Sequence, residues 1–189
     1  MDHVATRFTS VRPPEITVIG DFVLDRYWHG SVSKVNPEGP GVVVTVDSET
    51  QQLGGAGGVA VVTSGLGIST SCFGAIGSDR EGFALAQLIN EVSDGGSVML
   101  WTMPQTTVKH RIVANGSLLH NRFDFEEVHY LGDLESRLIQ SMPMGKVVVI
   151  ADYGKGVISE SVMDRITKRA HDEDLIVVVD PKRGRPLQD

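Results

Sequence analysis

The sequence predicts a doubly wound α/β fold with a mostly parallel sheet, and three observations carry that prediction. Short β-branched runs alternate with stretches of helical periodicity, two of the runs are apolar on both faces, and three of them lead straight into an aspartate. A short apolar run without alternation is what a strand covered by helices on both sides requires. Carboxyl ends of such strands are where open α/β sheets bind ligands.

Residues 1–14 are polar and end in Pro13-Pro14, which reads as a flexible arm ahead of a folded domain over 15–189. The first strand is Ile16–Ile19, followed by Gly20-Asp21. Two more strands are expected at Lys146–Ala151 and Leu175–Val179, leading into Asp152 and Asp180. Helices are expected at Ala56–Leu66, at Arg80–Glu91 behind the polar Ser78-Asp79 start, at Asp133–Ser141 and at Ser159–His171. In the last of these, Val162, Ile166 and Ala170 form one apolar stripe to lay against the sheet. Strand alternating with helix is the pattern of right-handed crossovers.

Composition narrows the function classes. The 189 residues hold 17 Lys and Arg against 24 Asp and Glu, a formal charge of −7, which disfavours nucleic acid and anionic membranes as partners. A single cysteine, Cys72, allows no internal disulfide or thiol metal site, and points to a reducing cytoplasm. No apolar run reaches the ~20 residues of a membrane span. Glycine is in excess, 21 residues where about 7% is average, as turns and backbone-lined ligand loops demand.

Two segments stand outside the alternation and read as strands of a second small sheet: Gly41–Asp47, and the pair Thr107–Ala114 with Ser117–Phe125. Asn115-Gly116 between the last two is a strong signal for a two-residue hairpin turn with positive φ at both positions. A simple hairpin then sets Lys109 opposite Arg122 and Arg111 opposite His120, so that Lys109, Arg111, His120 and Arg122 share one face. Like charges directly opposite oppose pairing, so this face needs a counter-charge. Asp124, Glu126 or Glu127 would supply it on a solvated face; a bound anion such as a sugar phosphate would supply it in a site.

Gly54-Gly55-Ala56-Gly57-Gly58 opens the helix from Ala56, and its Gly55-x-Gly57-x-x-Ala60 formally matches a dinucleotide fingerprint. That fingerprint should follow the first strand directly, whereas this one lies some thirty residues on, which leaves a nicotinamide-dependent oxidoreductase a distant alternative. Asp21 and Asp25 bracket the first strand's exit, where carboxylates can hold sugar hydroxyls or cap a chain turn.

In order along the chain, Gly20-Asp21-Phe22-Val23-Leu24-Asp25-Arg26-Tyr27-Trp28, Asn36-Pro37-Glu38, Gly54-Gly55-Ala56, Lys109-x-Arg111, Arg122-Phe123-Asp124-Phe125-Glu126-Glu127, Asp152-Tyr153-Gly154-Lys155-Gly156 and Asp180-Pro181-Lys182 resemble the ribokinase-like (PfkB) carbohydrate kinases. The similarity is greatest to the heptose 7-phosphate kinase branch. It implies a ribokinase-like sheet with a small β lid, which covers the sugar and forms a homodimer interface. It further implies a substrate site of Asp21, Asp25, Gly54 and Gly55, with Lys109, Arg111 and Arg122 near the acceptor's own phosphate. Asp152 and Lys182 would face the phosphate-transfer cleft, with ATP and magnesium as cofactors and the anomeric oxygen as acceptor.

The chain departs from the family at two places. Gly58 stands where the family has an asparagine that hydrogen-bonds the sugar. The chain also ends at Asp189, so the resemblance implies that a C-terminal third with the Gly-Ala-Gly-Asp motif, carrying the catalytic base and anion hole, is missing. The expectation is a carbohydrate kinase lineage that is inactive as 189 residues alone. The alternative is a non-catalytic module that binds sugar phosphates.

Overall fold

The structure is a computed structural model that describes residues 6–8, 15–93, 96–129, 139 and 142–182. Two sheets are built from one chain, which passes between them four times. The larger has six strands, β1 (Thr6–Phe8), β2 (Ile16–Gly20), β5 (Thr70–Gly77), β6 (Val98–Met103), β9 (Val147–Ala151) and β10 (Ile176–Asp180), in the order β1-β6-β5-β2-β9-β10. All neighbours are parallel except β1, which lies antiparallel against β6 at the sheet edge. Thr6–Phe8 thus forms a strand inside the segment read as an arm. β5 and β6 were not anticipated, although the runs Ser71–Ile76 and Val98–Met103 carry the same apolar signal as β9.

Helices cover both faces of this sheet, as a doubly wound fold requires. Val18, Cys72, Val98 and Leu100 turn toward α1 (Ala56–Gly65) and α2 (Arg80–Val92), packing on Ala56, Ala60, Leu85 and Ile89. The alternate residues Ile19, Phe73, Met99 and Ile150 turn the other way, toward Val162 and Ile166 of α3 (Glu160–Asp172). The predicted Val162, Ile166 and Ala170 stripe is wholly buried. Polar side chains start two of the helices: Asp79 accepts from Gly82 N at 2.7 Å and Ser159 from Val162 N at 3.1 Å. The helix expected at Asp133–Ser141 lies, apart from the helical and buried Ile139, outside the described residues.

The smaller sheet has four strands in the order β4-β3-β7-β8: β3 (Phe22–Val35), β4 (Val42–Gly55), β7 (Val108–Ala114) and β8 (Ser117–Phe125). The strand expected at Gly41–Asp47 is the start of a 14-residue strand that runs on to the glycine pair and is bonded antiparallel to an equally long β3. Only the base of β3 is core: Phe22 and Leu24 are buried, while Ser31–Val35 stand exposed. The sheet is therefore rooted in the α/β body and projects from it.

The hairpin turn forms at Asn115 (φ 53°) and Gly116 (φ 77°), and the simple register holds at Ala114–Ser117 and Val113–Leu118. Beyond that it fails. A bulge sets Ile112 alone against Leu119–Asn121, and the pairs below become Arg111–Arg122, His110–Phe123 and Lys109–Asp124. Lys109 thus faces a carboxylate rather than Arg122. The shift is by two residues, an even number, so Lys109, Arg111 and Arg122 still share a face. His120 falls in the bulge, and its side chain lies outside the described residues.

Cys72 lies fully buried in β5, and burial pushes its thiol up to about 11 despite a 3.3 Å hydrogen bond from Ser93 Oγ. Since the thiolate is the reactive form, the folded chain should be inert to a maleimide or iodoacetamide at pH 7.5, and labelling should track unfolding in urea. Rapid stoichiometric labelling without denaturant, followed by mass spectrometry, would contradict this placement.

Candidate functional site

The two sheets meet at Asp21, the one residue between β2 and β3. Its carboxylate is 1% exposed and accepts three backbone N–H groups from the loop after β9: Tyr153 at 2.8 Å, Lys155 at 3.0 Å and Val157 at 3.1 Å. Its main chain is used as well. Asp21 N donates to Ala151 O at 3.1 Å, and Asp21 O accepts Ala56 N, the first N–H of α1, at 3.0 Å. Burial raises the Asp21 pKa, the three N–H donors oppose that rise, and the charge of Asp152 adds to it. Asp21, read from the sequence as a substrate ligand, is turned inward and spent on holding the loop.

Asp25 lies four residues on, on the face of β3 that also carries the cations. In register it neighbours Lys109 on one side and Gln52 on the other. Arg111 Nη1 donates to Asp25 Oδ1 at 2.6 Å, and the same guanidinium lies 5.4 Å from the Tyr27 ring centre. Behind Asp25 stand the glycines. A Cβ on Gly54 would lie 2.6 Å from Asp25 Oδ2, and Gly55 takes φ 58° with a Cβ position only 2.2 Å from Asp21 O. No residue with a side chain fits at either position while both aspartates keep their places. Gly58, in contrast, faces open space, with nothing within 4 Å of its Cβ position.

Further out on the same face, Arg122 Nε and Nη2 donate to Asp124 Oδ1 and Oδ2, each at 2.7 Å. That bond, then burial acting against it, then the charges of Arg122, Lys109 and Lys155 hold the Asp124 carboxyl below its usual range. Glu126 takes Lys155 Nζ at 2.6 Å, tying the end of the hairpin to the loop that Asp21 organises.

Asp152 and Lys182 sit at the carboxyl ends of β9 and β10, in line with Asp21 at the end of β2. Asp152 is 2% exposed and accepts Gly154 N at 2.8 Å, while Tyr153 Oη donates to Asp180 at 3.0 Å. The Lys182 side chain crosses over Gly154, its Cδ 2.5 Å from where a Cβ would stand, so the lysine lies along this loop. The structure therefore gathers the expected residues into two adjoining groups. Asp25, Gly54, Lys109, Arg111 and Arg122 form the small-sheet face; Asp21, Gly55, Asp152 and Lys182 form the strand-end group.

Two features were missed in the sequence. Tyr27 supports Arg111, and the Asp79–Thr106 pair, with Thr106 Oγ1 donating at 2.6 Å and Thr106 N at 2.8 Å, fixes the turn into β7. The alternation of β3 predicts Tyr27 on the face of Asp25 once β3 is known to be a strand. The dinucleotide reading does not survive. The glycine motif follows β4 of the small sheet and not the first strand of the parallel sheet. Among the described residues no three His, Cys, Asp or Glu side chains gather as metal ligands, and no helix is long and apolar enough to cross a membrane.

No family model matches the chain. It is 35% identical to the bifunctional protein HldE of Campylobacter curvus over 173 residues, 89% of this chain and 36% of that protein. It is 35% identical to HldE of Nitrosococcus oceani over 187 residues, 96% of this chain and 38% of that one. The chain thus spans little more than a third of these curated relatives. Phosphofructokinase-2 from Escherichia coli, solved with substrates and products, superposes with a TM-score of 0.66 at 17% identity, over 89% of this chain and 54% of that one. Arabidopsis thaliana ribokinase, solved with ribose and ATP, gives 0.58 at 14% identity, with the same coverage of 89% and 54%. The ribokinase-like fold expected from the motifs is the fold of this chain.

The buried Asp21 makes a signed pH prediction. A carboxyl whose folded pKa is raised takes up its proton in the folded state first, so this group favours folding increasingly as pH drops from 7 toward its unfolded value near 4. Asp124, with a lowered pKa, works in the opposite sense and loses its contribution as pH falls through its folded value. Urea unfolding of wild type and Asp21→Asn at pH 7 and pH 4.5 checks this. Wild type should gain on the variant at the lower pH, and a gap that widens in the variant's favour would contradict it.

Proposed function

We propose, from the premise that this chain is a ribokinase-like carbohydrate kinase relative matching the N-terminal part of HldE, that its small-sheet face binds a phosphorylated sugar as phosphoryl acceptor. The candidate substrate is heptose 7-phosphate, phosphorylated at its anomeric oxygen. The observation that supports this reading is one face on which a carboxylate fixed by Arg111 stands beside Lys109 and Arg122. Asp25 accepts hydrogen bonds from sugar hydroxyls, Gly54 leaves the space that its carboxylate occupies, and the cations meet the sugar's phosphate.

ATP, when bound, supplies the phosphoryl group, and Asp152 and Lys182 lie at the strand ends where that transfer would be placed. Of the two, Lys182 is the cation fit for a phosphate oxygen, while the buried Asp152 orders its own loop through Gly154. The described residues hold no three-ligand cluster for magnesium, and no step is assigned to it. A second reading of the same face is sugar-phosphate binding without turnover.

The small sheet's other face supports pairing with a second copy through the lid. The Trp28 and His110 rings meet at a 57° tilt with centroids 4.4 Å apart, and Phe123 and Phe125 beside them are 45% and 51% exposed. Sedimentation of wild type against Phe125→Asp should show a dimer that the aspartate dissociates. A monomeric wild type at tens of micromolar would remove this proposal.

Calorimetric titration with heptose 7-phosphate and with the unphosphorylated heptose tests the acceptor site. The phosphorylated sugar should bind more tightly, and Gly58→Asn, which the open space accommodates, should tighten both by about fivefold or more through one added hydrogen bond. Equal affinity for the two sugars would remove the phosphate from the reading. An assay of ADP release separates the two readings: steady turnover by the 189-residue chain favours the kinase, and binding without turnover the module.

A further inference from the structure

The cation face already contains an anion, and it belongs to the chain. Asp124 presents both carboxylate oxygens to Arg122 in a two-pronged bond at 2.7 Å each. Lys109 faces it directly across the β7–β8 pair, and Lys155 contributes its charge from the loop after β9. The Nε–Nη2 edge of a guanidinium accepts a carboxylate or a phosphate in the same geometry, so on that edge one excludes the other. Arg111 differs. It is held by the partly buried Asp25 and by Tyr27, whereas the Arg122 side chain is 51% exposed and Asp124 lies on the outermost strand.

We propose that Asp124 is a built-in competitor for the substrate's anionic group, which must displace it from Arg122 and Lys109, and that this exchange selects phosphate monoesters over singly charged sugars. This rests on the sugar-phosphate reading above. A tethered carboxylate acts at a high effective concentration. A singly charged ligand brings no more charge than Asp124 and gains nothing by replacing it. A phosphate monoester carries about −1.5 to −2 at pH 7 and three acceptor oxygens, enough to engage Arg122 and Lys109 together. The released Asp124 side chain then turns to water from an exposed edge strand, where little packing is lost.

The test is calorimetric titration of the full chain with heptose 7-phosphate, unphosphorylated heptose and glucuronate, for wild type, Asp124→Asn, Arg122→Ala and the double variant. Asp124→Asn should bind heptose 7-phosphate about tenfold more tightly than wild type, leave the free heptose unchanged and gain measurable affinity for glucuronate. Both proteins with Arg122→Ala should bind the phosphorylated sugar weakly and equally. Asp124→Ser, with thermal unfolding to verify folding, serves if the asparagine variant is unstable. Wild type binding the phosphorylated sugar as tightly as Asp124→Asn, or more tightly, would overturn the competitor while leaving the sugar-phosphate site. Absence of binding by both would overturn the site and the competitor together.

Discussion

The constraint on which the rest of this structure depends is the burial of one carboxylate, Asp21, at the junction of two sheets. A charge taken out of water must be compensated by fixed donors, and the chain supplies three N–H groups from a single loop, at Tyr153, Lys155 and Val157. The loop therefore has no freedom to wander from the strand ends. Its own side chains, with Asp152 at its start and Lys155 in its middle, take their positions from that clamp. Since the same residue's carbonyl caps α1 and its N–H binds Ala151, sheet, helix and loop are fixed relative to one point.

From this root the small sheet extends as long, largely exposed ribbons, and its stability has to come from pairing and from cross-strand side chains. Charge dominates one face, and the other combines aromatic contact with the Arg26–Glu49 ion pair. On the charged face every described arginine has a carboxylate partner: Arg111 has Asp25, and Arg122 has Asp124. The bulge opposite Ile112 sets Asp124 opposite Lys109 and Arg111 opposite Arg122, so one cation pair still faces another across the strands, and Asp25 and Asp124 supply the counter-charge that this pairing needs. An exposed ion pair contributes little to folding, about 0–1 kcal/mol. On the proposed reading, what the row sets is which anions can enter.

Much of the body was legible in the sequence because its signals are local. β2 and β9 show the apolar runs, and α3 the periodicity, that burial imposes, and the Asn115-Gly116 turn demands positive φ at both positions. The long β3 was not legible: from Gly30 onward its Ser31, Ser33 and Lys34 face water on both sides, leaving no alternation to read. The hairpin register was misread for a related reason. A bulge depends on which long-range partners the strand finds, here Asp124 for Lys109, and the turn alone does not encode it. The shared face of Lys109, Arg111 and Arg122 was legible nonetheless, because a shift by two residues preserves alternation. The inward turn of Asp21 left no local signal, since its three donors lie more than 130 residues away in sequence.

The Asp21-x-x-x-Asp25 pair and the Gly54-Gly55 pair, some thirty residues apart, are physically one contact. Antiparallel pairing of β3 with β4 brings Phe22 opposite Gly55 and Val23 opposite Gly54. Asp25 then leans its carboxylate over Gly54 while the Asp21 carbonyl presses on Gly55, distances of 2.6 Å and 2.2 Å from where side chains would begin. Each glycine is the space one aspartate needs. The first aspartate uses that space to start α1 and hold the loop; the second uses it to meet Arg111 and face the cations. A methyl group on Gly54 would drive Asp25 off Arg111 without touching the Asp21 clamp, which separates the binding half of the motif from the folding half. That separation lets the same four residues serve both the fold and the proposed site without conflict.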